Sequence, residues 1–275
     1  MKGFLFFDID GTLVDSGSTD QISESTKEAM KQARANGYGC FISSGRNCKG
    51  IKMYMEEGFD GFVYADGAGV ELYGKEPVLI PVDEFLVQYL IDIVLYKYKG
   101  DVCPWSKEWA YASKGIYDNF QRMARRSADS GTDVMKTMGI RHLEERDPQD
   151  LILSLDVEFP DRESEIDFET YLDPCLEYIS TSASYGRGGI CTGEVTMNGV
   201  TKGSGARKIV EMLDGDMKNT YAFGDSMNDA MILKEVQYGI CMGNGAEELK
   251  AIADYVTDDI NQDGIEKAMK HFGII

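Results

Sequence analysis

Apolar residues occur along the chain in short runs that alternate with stretches of helical periodicity. The first run, Phe4–Phe7, is continuously apolar, which is typical of a central parallel strand that is covered on both faces. Ser25 and Glu28 have the spacing of a capping box at the start of a first helix, and Gly37 stands where that helix would end. The pattern therefore predicts the beginning of a strand–helix repeat.

The same alternation continues to about residue 82 and resumes beyond residue 202. Further strands are predicted at 39–43, 62–65, 221–223, 238–242 and 255–257, and helices at 47–57, 206–213, 230–233 and 246–253. Strands that alternate with helices are typical of a doubly wound, mostly parallel sheet. We therefore predict an α/β core made of residues 1–82 and 191–275.

Residues 83–190 have a different pattern. Asp83 can cap a helix with apolar residues on one face, and apolar residues from Leu151 to Phe159 fall on every second position, as in a half-exposed antiparallel strand. This segment predicts an inserted α+β domain. The acidic stretch at 161–177 is interpreted as a solvated helix face and is given no functional weight.

The composition argues against several classes of function. With 28 basic and 47 acidic residues the chain has a formal net charge of −19, which argues against binding to nucleic acid or to anionic membranes. Its six cysteines are spread singly and only two histidines occur, a pattern that indicates reduced thiols and no zinc site. No signal-peptide core or membrane span is predicted, and a cytoplasmic protein is expected.

An acidic pair directly follows the first predicted strand. Asp8 and Asp10 are two positions apart, so their side chains can point the same way, and Gly11 follows them. In open parallel sheets, ligands bind beyond the carboxyl ends of the strands. An aspartate-rich turn shaped by glycine is the alternative interpretation.

A second acidic cluster, Gly224–Asp229, follows another predicted strand and would bring Asp225 and Asp229 to the same edge of the sheet. Four carboxylates together are unfavourable without a cation, and an all-oxygen ligand set favours Mg²⁺. Helix capping by Asp225 or Ser226 is an alternative that is compatible with metal binding.

Two weaker signals accompany the acidic clusters. Ser44 and Gly45 end the second strand, where a hydroxyl and backbone N–H groups can meet an anion. Lys202 lies among small residues just before a predicted helix, although a surface lysine beside glycine is common. The order of all four segments along the chain decides their interpretation.

These segments, in this order, resemble the four motifs of the haloacid dehalogenase-like superfamily. Asp8 and Asp10 match the first motif, Ser44 the second, Lys202 the third and 224–229 the fourth. An insertion between the second and third motifs resembles the Cof-type (IIB) branch with its α/β cap, and residues 66–68 resemble its Asn-Gly-Ala segment. Asp66 departs from that pattern, because a carboxylate replaces an amide.

The resemblance implies a Mg²⁺-dependent phosphatase. Asp8 would attack phosphorus and become an aspartyl phosphate, and Asp10 would protonate the leaving oxygen and later activate water. Asp8, the Asp10 backbone carbonyl and Asp225 would hold Mg²⁺, and Asp229 would orient Lys202. The residues implied in binding the phosphate are Gly11, Thr12, Ser44, Gly45, Lys202 and Asn228.

The substrate expected from the resemblance is a small phosphorylated metabolite, best described as a sugar phosphate, chosen by the cap at 83–190. Trp105, Trp109, Tyr111 and Tyr117 are there interpreted as core residues rather than as a sugar-stacking surface. A phosphomutase of the same superfamily and a non-catalytic phosphoacceptor module remain alternatives. A monomer or weak homodimer is expected.

Overall fold

The computed structural model describes residues 1–15, 18–127, 134–181 and 189–275. The chain forms two compact units. Unit 1 comprises residues 1–45, 53–78 and 201–275, and unit 2 comprises residues 46–52 and 79–200.

Strands and helices alternate along most of the chain. The strands are β1 (Gly3–Phe7), β2 (Tyr38–Ser43), β3 (Gly61–Tyr64), β4 (Gly69–Leu72), β5 (Val78–Leu79), β6 (Asp101–Ser106), β7 (Ala110–Ala112), β8 (Ile140–His142), β9 (Ile152–Phe159), β10 (Leu176–Ser180), β11 (Cys191–Met197), β12 (Thr220–Gly224), β13 (Tyr238–Cys241) and β14 (Tyr255–Val256). The helices are α1 (Glu24–Ala35), α2 (Cys48–Ile51), α3 (Glu84–Asp92), α4 (Lys114–Ser127), α5 (Val134–Thr137), α6 (Arg162–Thr170), α7 (Lys202–Met212), α8 (Ala230–Glu235), α9 (Glu247–Lys250) and α10 (Gly264–His271).

An eight-stranded sheet forms the centre of unit 1, in the order β14-β13-β12-β1-β2-β3-β4-β5. The strands from β14 to β3 pair in parallel, and β4 pairs with β3 in the antiparallel direction. This arrangement confirms the predicted doubly wound α/β core. It places the carboxyl ends of β1, β2 and β12 at one edge of the sheet.

Apolar side chains on both faces explain why β1 is continuously hydrophobic. Phe4 and Phe6 pack with Phe41 of β2 and with residues of α7 and α8, and the rings of Phe6 and Phe41 stack at 5.3 Å. Leu5 and Phe7 point to the opposite face and are also fully buried. A strand buried on both faces cannot show alternation, as predicted.

The N-cap of α1 differs from the prediction. Ser23, not Ser25, has the extended backbone of a cap, and its hydroxyl accepts a hydrogen bond from the Thr26 N–H at 3.3 Å. Ser25 already lies in the first turn of the helix, so a capping box with Glu28 is wrong. Gly37 follows the helix with φ +92°, as expected of a terminating glycine.

Helix α7 begins four residues earlier than predicted, at Lys202. Thr201 is its N-cap, and Thr201 and Ser204 form a reciprocal capping box. The sequence pattern placed the small residues of this segment before the helix, but they lie within it, and Gly205 is needed for close packing. A Cβ there would lie 2.4 Å from the Cγ1 atom of Val63.

Unit 2 contains a six-stranded sheet in the order β10-β11-β9-β6-β7-β8, and its strands are antiparallel except for β7 and β8. Asp83 caps α3, as predicted. Strand β11 belongs to this sheet because it pairs with β9 and β10, although 191–200 had been included in the predicted core. The α2 segment 46–52 also belongs to unit 2.

The acidic helix α6 is only partly a solvated face. Glu165 is fully buried, and its carboxylate accepts hydrogen bonds from the hydroxyls of Tyr178 and Ser180, each at 2.7 Å, and pairs with Arg162. Periodicity alone did not predict a buried carboxylate, because the two hydroxyls that donate to it lie on β10, outside the helix. Glu165 therefore tethers α6 to the sheet.

Five of the six cysteines are buried, Cys175 is exposed, and all six are free thiols. Burial raises the pKa of Cys40 to about 12 and that of Cys241 to about 11. In the described part of the chain, no helix combines the length and the hydrophobicity that crossing a membrane requires.

Candidate active site

The site is built on the residue that follows β1. The Asp8 N–H donates to the Phe223 carbonyl of β12 at 3.0 Å, so the sheet's hydrogen bonding continues one residue beyond the strand. This places the Asp8 side chain, which is 7% exposed, at the junction of β1 and β12. Asp10 is half-buried two residues further on.

A buried lysine joins two of the predicted carboxylates. The Lys202 ammonium donates to the Asp8 Oδ1 atom at 2.8 Å and to the Asp229 Oδ1 atom at 2.7 Å, and all three side chains are buried. Lys202 is the first residue of α7, so the Thr201 cap fixes its backbone. The structure thus brings the first, third and fourth predicted motifs together.

The loop after β12 is organised by Asp229. Its Oδ2 atom accepts hydrogen bonds from the Asp225 N–H at 3.0 Å and from the Ser226 N–H at 3.2 Å. Asp225 in turn lies close to Gly11, where a Cβ would be 2.3 Å from the Asp225 Oδ2 atom, and Gly11 has φ +83°. Both the contact and the backbone conformation require glycine at this position.

The candidate site contains more negative than positive charge. Burial and the nearby Asp229 carboxylate raise the pKa of Asp8, and Lys202 offsets this only in part. Burial and Asp229 also raise the pKa of Asp225 to about 7. Burial alone would lower the pKa of Lys202, but Asp229 and Asp8 outweigh burial and raise it.

The residues present fit a divalent cation. Carboxylate oxygens of Asp8, Asp225 and Asp229 lie within 4.8 Å of one another. The Asp225 Oδ1 atom is buried and has no hydrogen-bond partner in the described residues, which is unfavourable for a carboxylate unless a ligand covers it. A set of oxygen ligands around such an atom suits Mg²⁺.

The end of β2 supplies a second part of the site. Ser44 is buried, and its N–H donates to the Val63 carbonyl at 3.0 Å. Asp66 approaches Gly45, where a Cβ would lie 2.9 Å from the Asp66 Oδ2 atom. Asp66 is 7% exposed, and its charge is one of those that raise the pKa of Lys202. Asp66 stands where the Cof-type pattern has asparagine, and it thus places another carboxylate near Lys202.

The N–H groups of Gly11 and Thr12 form hydrogen bonds within the loop that follows β1. The Gly11 N–H donates to the Val14 carbonyl at 2.8 Å and the Thr12 N–H to the Ile9 carbonyl at 3.3 Å. The Thr12 side chain is fully buried. Because these N–H groups have partners inside the loop, direct phosphate binding by Gly11 and Thr12 stays a prediction.

Two asparagines complete the edge of the site. Asn228, which was predicted, accepts a hydrogen bond from the Ser226 hydroxyl at 2.6 Å. Asn244, which was not predicted, donates to the Gly11 carbonyl at 2.7 Å and accepts from the Ile260 N–H at 2.9 Å. Two features could have indicated Asn244 from the sequence. It follows β13, the strand that neighbours β12, and it lies between Gly243 and Gly245.

The two histidines lie elsewhere. His142 stacks on Tyr117 at 3.6 Å, and His271 stacks on Tyr255 at 4.2 Å. Trp105 and Tyr111 are core residues of unit 2, as expected, whereas Trp109 is only half-buried.

Comparison with known proteins agrees with this geometry. The family model for haloacid dehalogenase-like hydrolases matches residues 5–269. The putative phosphatase YkrA of Bacillus subtilis is 28% identical over 98% of this chain and 98% of its own length. A further relative from Bacillus subtilis, the 5-amino-6-(5-phospho-D-ribitylamino)uracil phosphatase YcsE, is 40% identical over 29% of this chain and 32% of its own length.

A solved structure extends the likeness to the whole fold. The HAD subclass IIB sugar phosphatase BT4131 is 27% identical, with a TM-score of 0.80 over 99% of this chain and 100% of that chain. This confirms the resemblance to the IIB branch and favours an enzyme over a non-catalytic phosphoacceptor module. The chain belongs to the haloacid dehalogenase-like hydrolases, as one of their phosphatases.

Proposed function

We propose that this phosphatase is Mg²⁺-dependent, hydrolyses a small sugar phosphate and forms an aspartyl phosphate on Asp8. The observation that carries the proposal is the Lys202 ammonium, which bridges Asp8 and Asp229 beside the unpartnered Asp225 Oδ1 atom. That arrangement holds one carboxylate ready for attack and leaves a place for a cation next to it.

The first half-reaction transfers the phosphoryl group to the protein. A carboxylate oxygen of Asp8 forms a bond to phosphorus while the bond to the leaving oxygen breaks, and Asp10 donates its proton to that oxygen. Negative charge moves onto the phosphoryl oxygens in this step. The Lys202 ammonium neutralises that charge, and the Ser44 hydroxyl binds these oxygens. Asp229 keeps Lys202 in place through the 2.7 Å contact.

The second half-reaction returns the enzyme to its starting state. Asp10 accepts a proton from water as the water oxygen bonds to phosphorus, and the bond between phosphorus and the Asp8 oxygen breaks. Inorganic phosphate leaves. Mg²⁺, held by Asp8, the Asp10 carbonyl and Asp225, would supply positive charge that lets an anionic nucleophile approach an anionic ester.

The substrate class is inferred from relatives. BT4131 is described as a sugar phosphatase, and YcsE is named for a phosphoribityl compound. Both descriptions concern phosphate esters of small polyhydroxylated metabolites. We therefore propose a sugar phosphate as the substrate class of this chain.

Phosphate release from p-nitrophenyl phosphate, measured with Mg²⁺ and with EDTA, tests the reaction. We expect release only with Mg²⁺, and none from the Asp8→Asn variant. Asp214→Asn makes the same change at an exposed position of unit 1 and should behave like the wild type. Appreciable turnover by Asp8→Asn would overturn the covalent mechanism.

Trapping tests the intermediate and the alternative of a mutase. Acid quenching during turnover should leave one phosphoryl group on the peptide that contains Asp8, detected by mass spectrometry. Products from hexose and pentose monophosphates should then be free sugar and inorganic phosphate. Isomeric sugar phosphates formed without phosphate release would instead identify a phosphomutase.

A further inference from the structure

Unit 2 carries two cations on one indole ring. The Lys49 Nζ atom lies 3.7 Å from the centroid of the Trp109 ring, and the Arg141 Cζ atom lies 3.4 Å from it. Lys49 comes from α2, Trp109 from the turn between β6 and β7, and Arg141 from β8. Three separate segments thus converge on one cationic cluster, which we call the Trp109 cluster.

The Trp109 cluster lacks a matching carboxylate. In the part of the chain that the structure describes, Lys49 and Arg141 form no ion pair, and the nearby Glu108 is held by Lys52 at 2.9 and 3.1 Å. Burial and the charges of Arg141, Lys52 and Lys136 lower the pKa of Lys49, against the opposing effect of Glu108. Positive charge is therefore concentrated here in a chain whose net charge is −19.

A second lysine–aromatic pair of unit 2 shows the ordinary arrangement. The Lys97 Nζ atom lies 4.5 Å from the Tyr98 ring, and the Asp167 carboxylate neutralises it at 2.8 Å. Lys97 thus has a carboxylate counter-ion beside its aromatic ring. Lys49 and Arg141 have none among the described residues. A repulsive cluster without a counter-ion is stabilised by an anion that binds to it.

The backbone holds the Trp109 cluster in place. Asn47, which is fully buried, accepts from the Gly50 N–H at 2.8 Å and donates to the Met138 carbonyl at 3.1 Å, so α2 is tied to the turn before β8. A Cβ on Gly139 would lie 2.9 Å from the Lys49 Cδ atom and 3.1 Å from the Trp109 ring. The cations are therefore positioned before any ligand arrives, which favours binding.

We propose that the Trp109 cluster is an anion-binding site of unit 2, in which Arg141 holds a phosphate or carboxylate group and the charge of Lys49 strengthens its binding. This group is a free anion from solution. The site goes beyond the proposed function, which requires one phosphoryl group only.

Tryptophan fluorescence gives a direct test without turnover. The chain has two tryptophans, Trp105 and Trp109, and both lie in unit 2, whereas the residues of the candidate active site lie in unit 1. The full-length protein is titrated with inorganic phosphate and with glucose 1,6-bisphosphate in the presence of EDTA. We expect a saturable change in emission with at least one of these probes.

Variants show where the anion binds. Lys49→Gln and Arg141→Gln should each raise the dissociation constant at least about tenfold. Arg141→Lys keeps the charge and should restore much of the affinity, which separates loss of binding from loss of folding. Lys97→Gln, the matched control, should bind like the wild type.

The comparison of variants decides whether the site exists. A response to phosphate that is lost in Arg141→Gln and kept in Lys97→Gln supports it. A response that both variants leave unaltered, or no response to either probe, overturns the proposal. Absence of any turnover would instead reject the proposed function and leave the fluorescence result standing.

Discussion

Lys202 is the residue on which the charges of the candidate site depend. It is 1% exposed and, among the residues that the structure describes, is the one cation in direct contact with Asp8 and Asp229. A buried ammonium with two carboxylate partners is fixed in position and stays protonated over the physiological pH range, because those partners raise its pKa. The same contact that orients the lysine also fixes the Asp8 side chain.

Replacing Lys202 by methionine should therefore affect stability as well as activity. The change leaves two buried carboxylates without their cation, which should lower the free energy of unfolding by about 3 to 5 kcal/mol and turnover by at least about 1,000-fold. Urea unfolding and steady-state kinetics measure the two effects. Lys208→Met changes an exposed lysine of the same helix and should alter both by little. Equal effects of the two variants would contradict the assigned role.

Sequence patterns predicted the residues at strand ends better than the residues that support them. Asp8 and Ser44 follow continuous apolar strands, so their place at the sheet edge could be inferred from the pattern. Asn244 could not be inferred in this way, because its role depends on a contact with a loop 233 positions away. The convergence of Lys49 and Arg141 on Trp109 was likewise hidden, since the three segments are far apart in sequence.

At the scale of elements, a tight turn sets the start of helix α7. Residues Ala65, Asp66 and Gly67 all have positive φ values, of 46°, 49° and 104°. Gly67 contacts the helix cap so closely that a Cβ would lie 2.0 Å from the Thr201 carbonyl oxygen. This turn therefore supports the cap from which Lys202 extends.

Gly67→Ala should displace the start of α7. A methyl group overlaps the Thr201 carbonyl, and alanine is strained at this φ, so we expect a loss of about 2 to 4 kcal/mol in stability and at least about a tenfold loss in kcat. Gly74→Ala is the matched control, because Gly74 also has positive φ but has open space around its Cα. It should lose about 1 kcal/mol and keep full activity. Similar kcat values for both variants would exclude a supporting role for the turn.

Helix α6 provides a pH-dependent element. Burial alone would raise the pKa of Glu165, but hydrogen bonds from Tyr178, Ser180 and Arg162 outweigh it and lower the pKa to about 2. A carboxylate whose pKa is lower in the folded state stabilises the protein above its unfolded pKa of 4.5. That contribution is lost as the pH falls from about 5 towards about 2.

The stability difference between wild type and Glu165→Gln should therefore shrink at acidic pH. At about pH 6 we expect the variant to be less stable by about 2 kcal/mol, and at about pH 3 by much less. Denaturant unfolding across this range measures the difference. Glu169→Gln, at an exposed position of the same helix, is the matched control and should change the stability by little. A constant difference for Glu165→Gln would refute the assignment.

Helix ends were the elements that sequence predicted least well. The pattern placed α7 at residue 206 and missed Thr201 as its cap, because glycine is a poor residue for a helix interior. Packing against Val63 requires glycine there and overrides that preference. Helix α10 was missed because its apolar positions, Ile265, Ala268 and Met269, extend over only two turns.

At the scale of the whole molecule, the net charge of −19 is the dominant property. Most ion pairs of the described residues are at the surface and contribute little each. Repulsion among the excess carboxylates acts against the folded state, since folding brings them closer together. Dissolved salt screens this repulsion.

Thermal stability should therefore rise with monovalent salt. Increasing KCl from about 0.01 M to about 0.2 M shortens the screening length from about 30 Å to about 7 Å, and we expect Tm to increase by a few degrees. Differential scanning calorimetry in EDTA measures this with divalent cations excluded. A Tm that falls over this range would show that attractive pairs, rather than repulsion, control the stability.

The burial of the thiols determines which cysteine of the folded protein can be labelled. Five of the six cysteines are covered by the fold, and Cys175 alone is exposed, on the segment before β10. A maleimide reagent applied to the folded protein thus has one accessible sulfur to react with. The natural sequence therefore offers a single attachment point for a fluorophore or a spin label in unit 2, with no cysteine engineering.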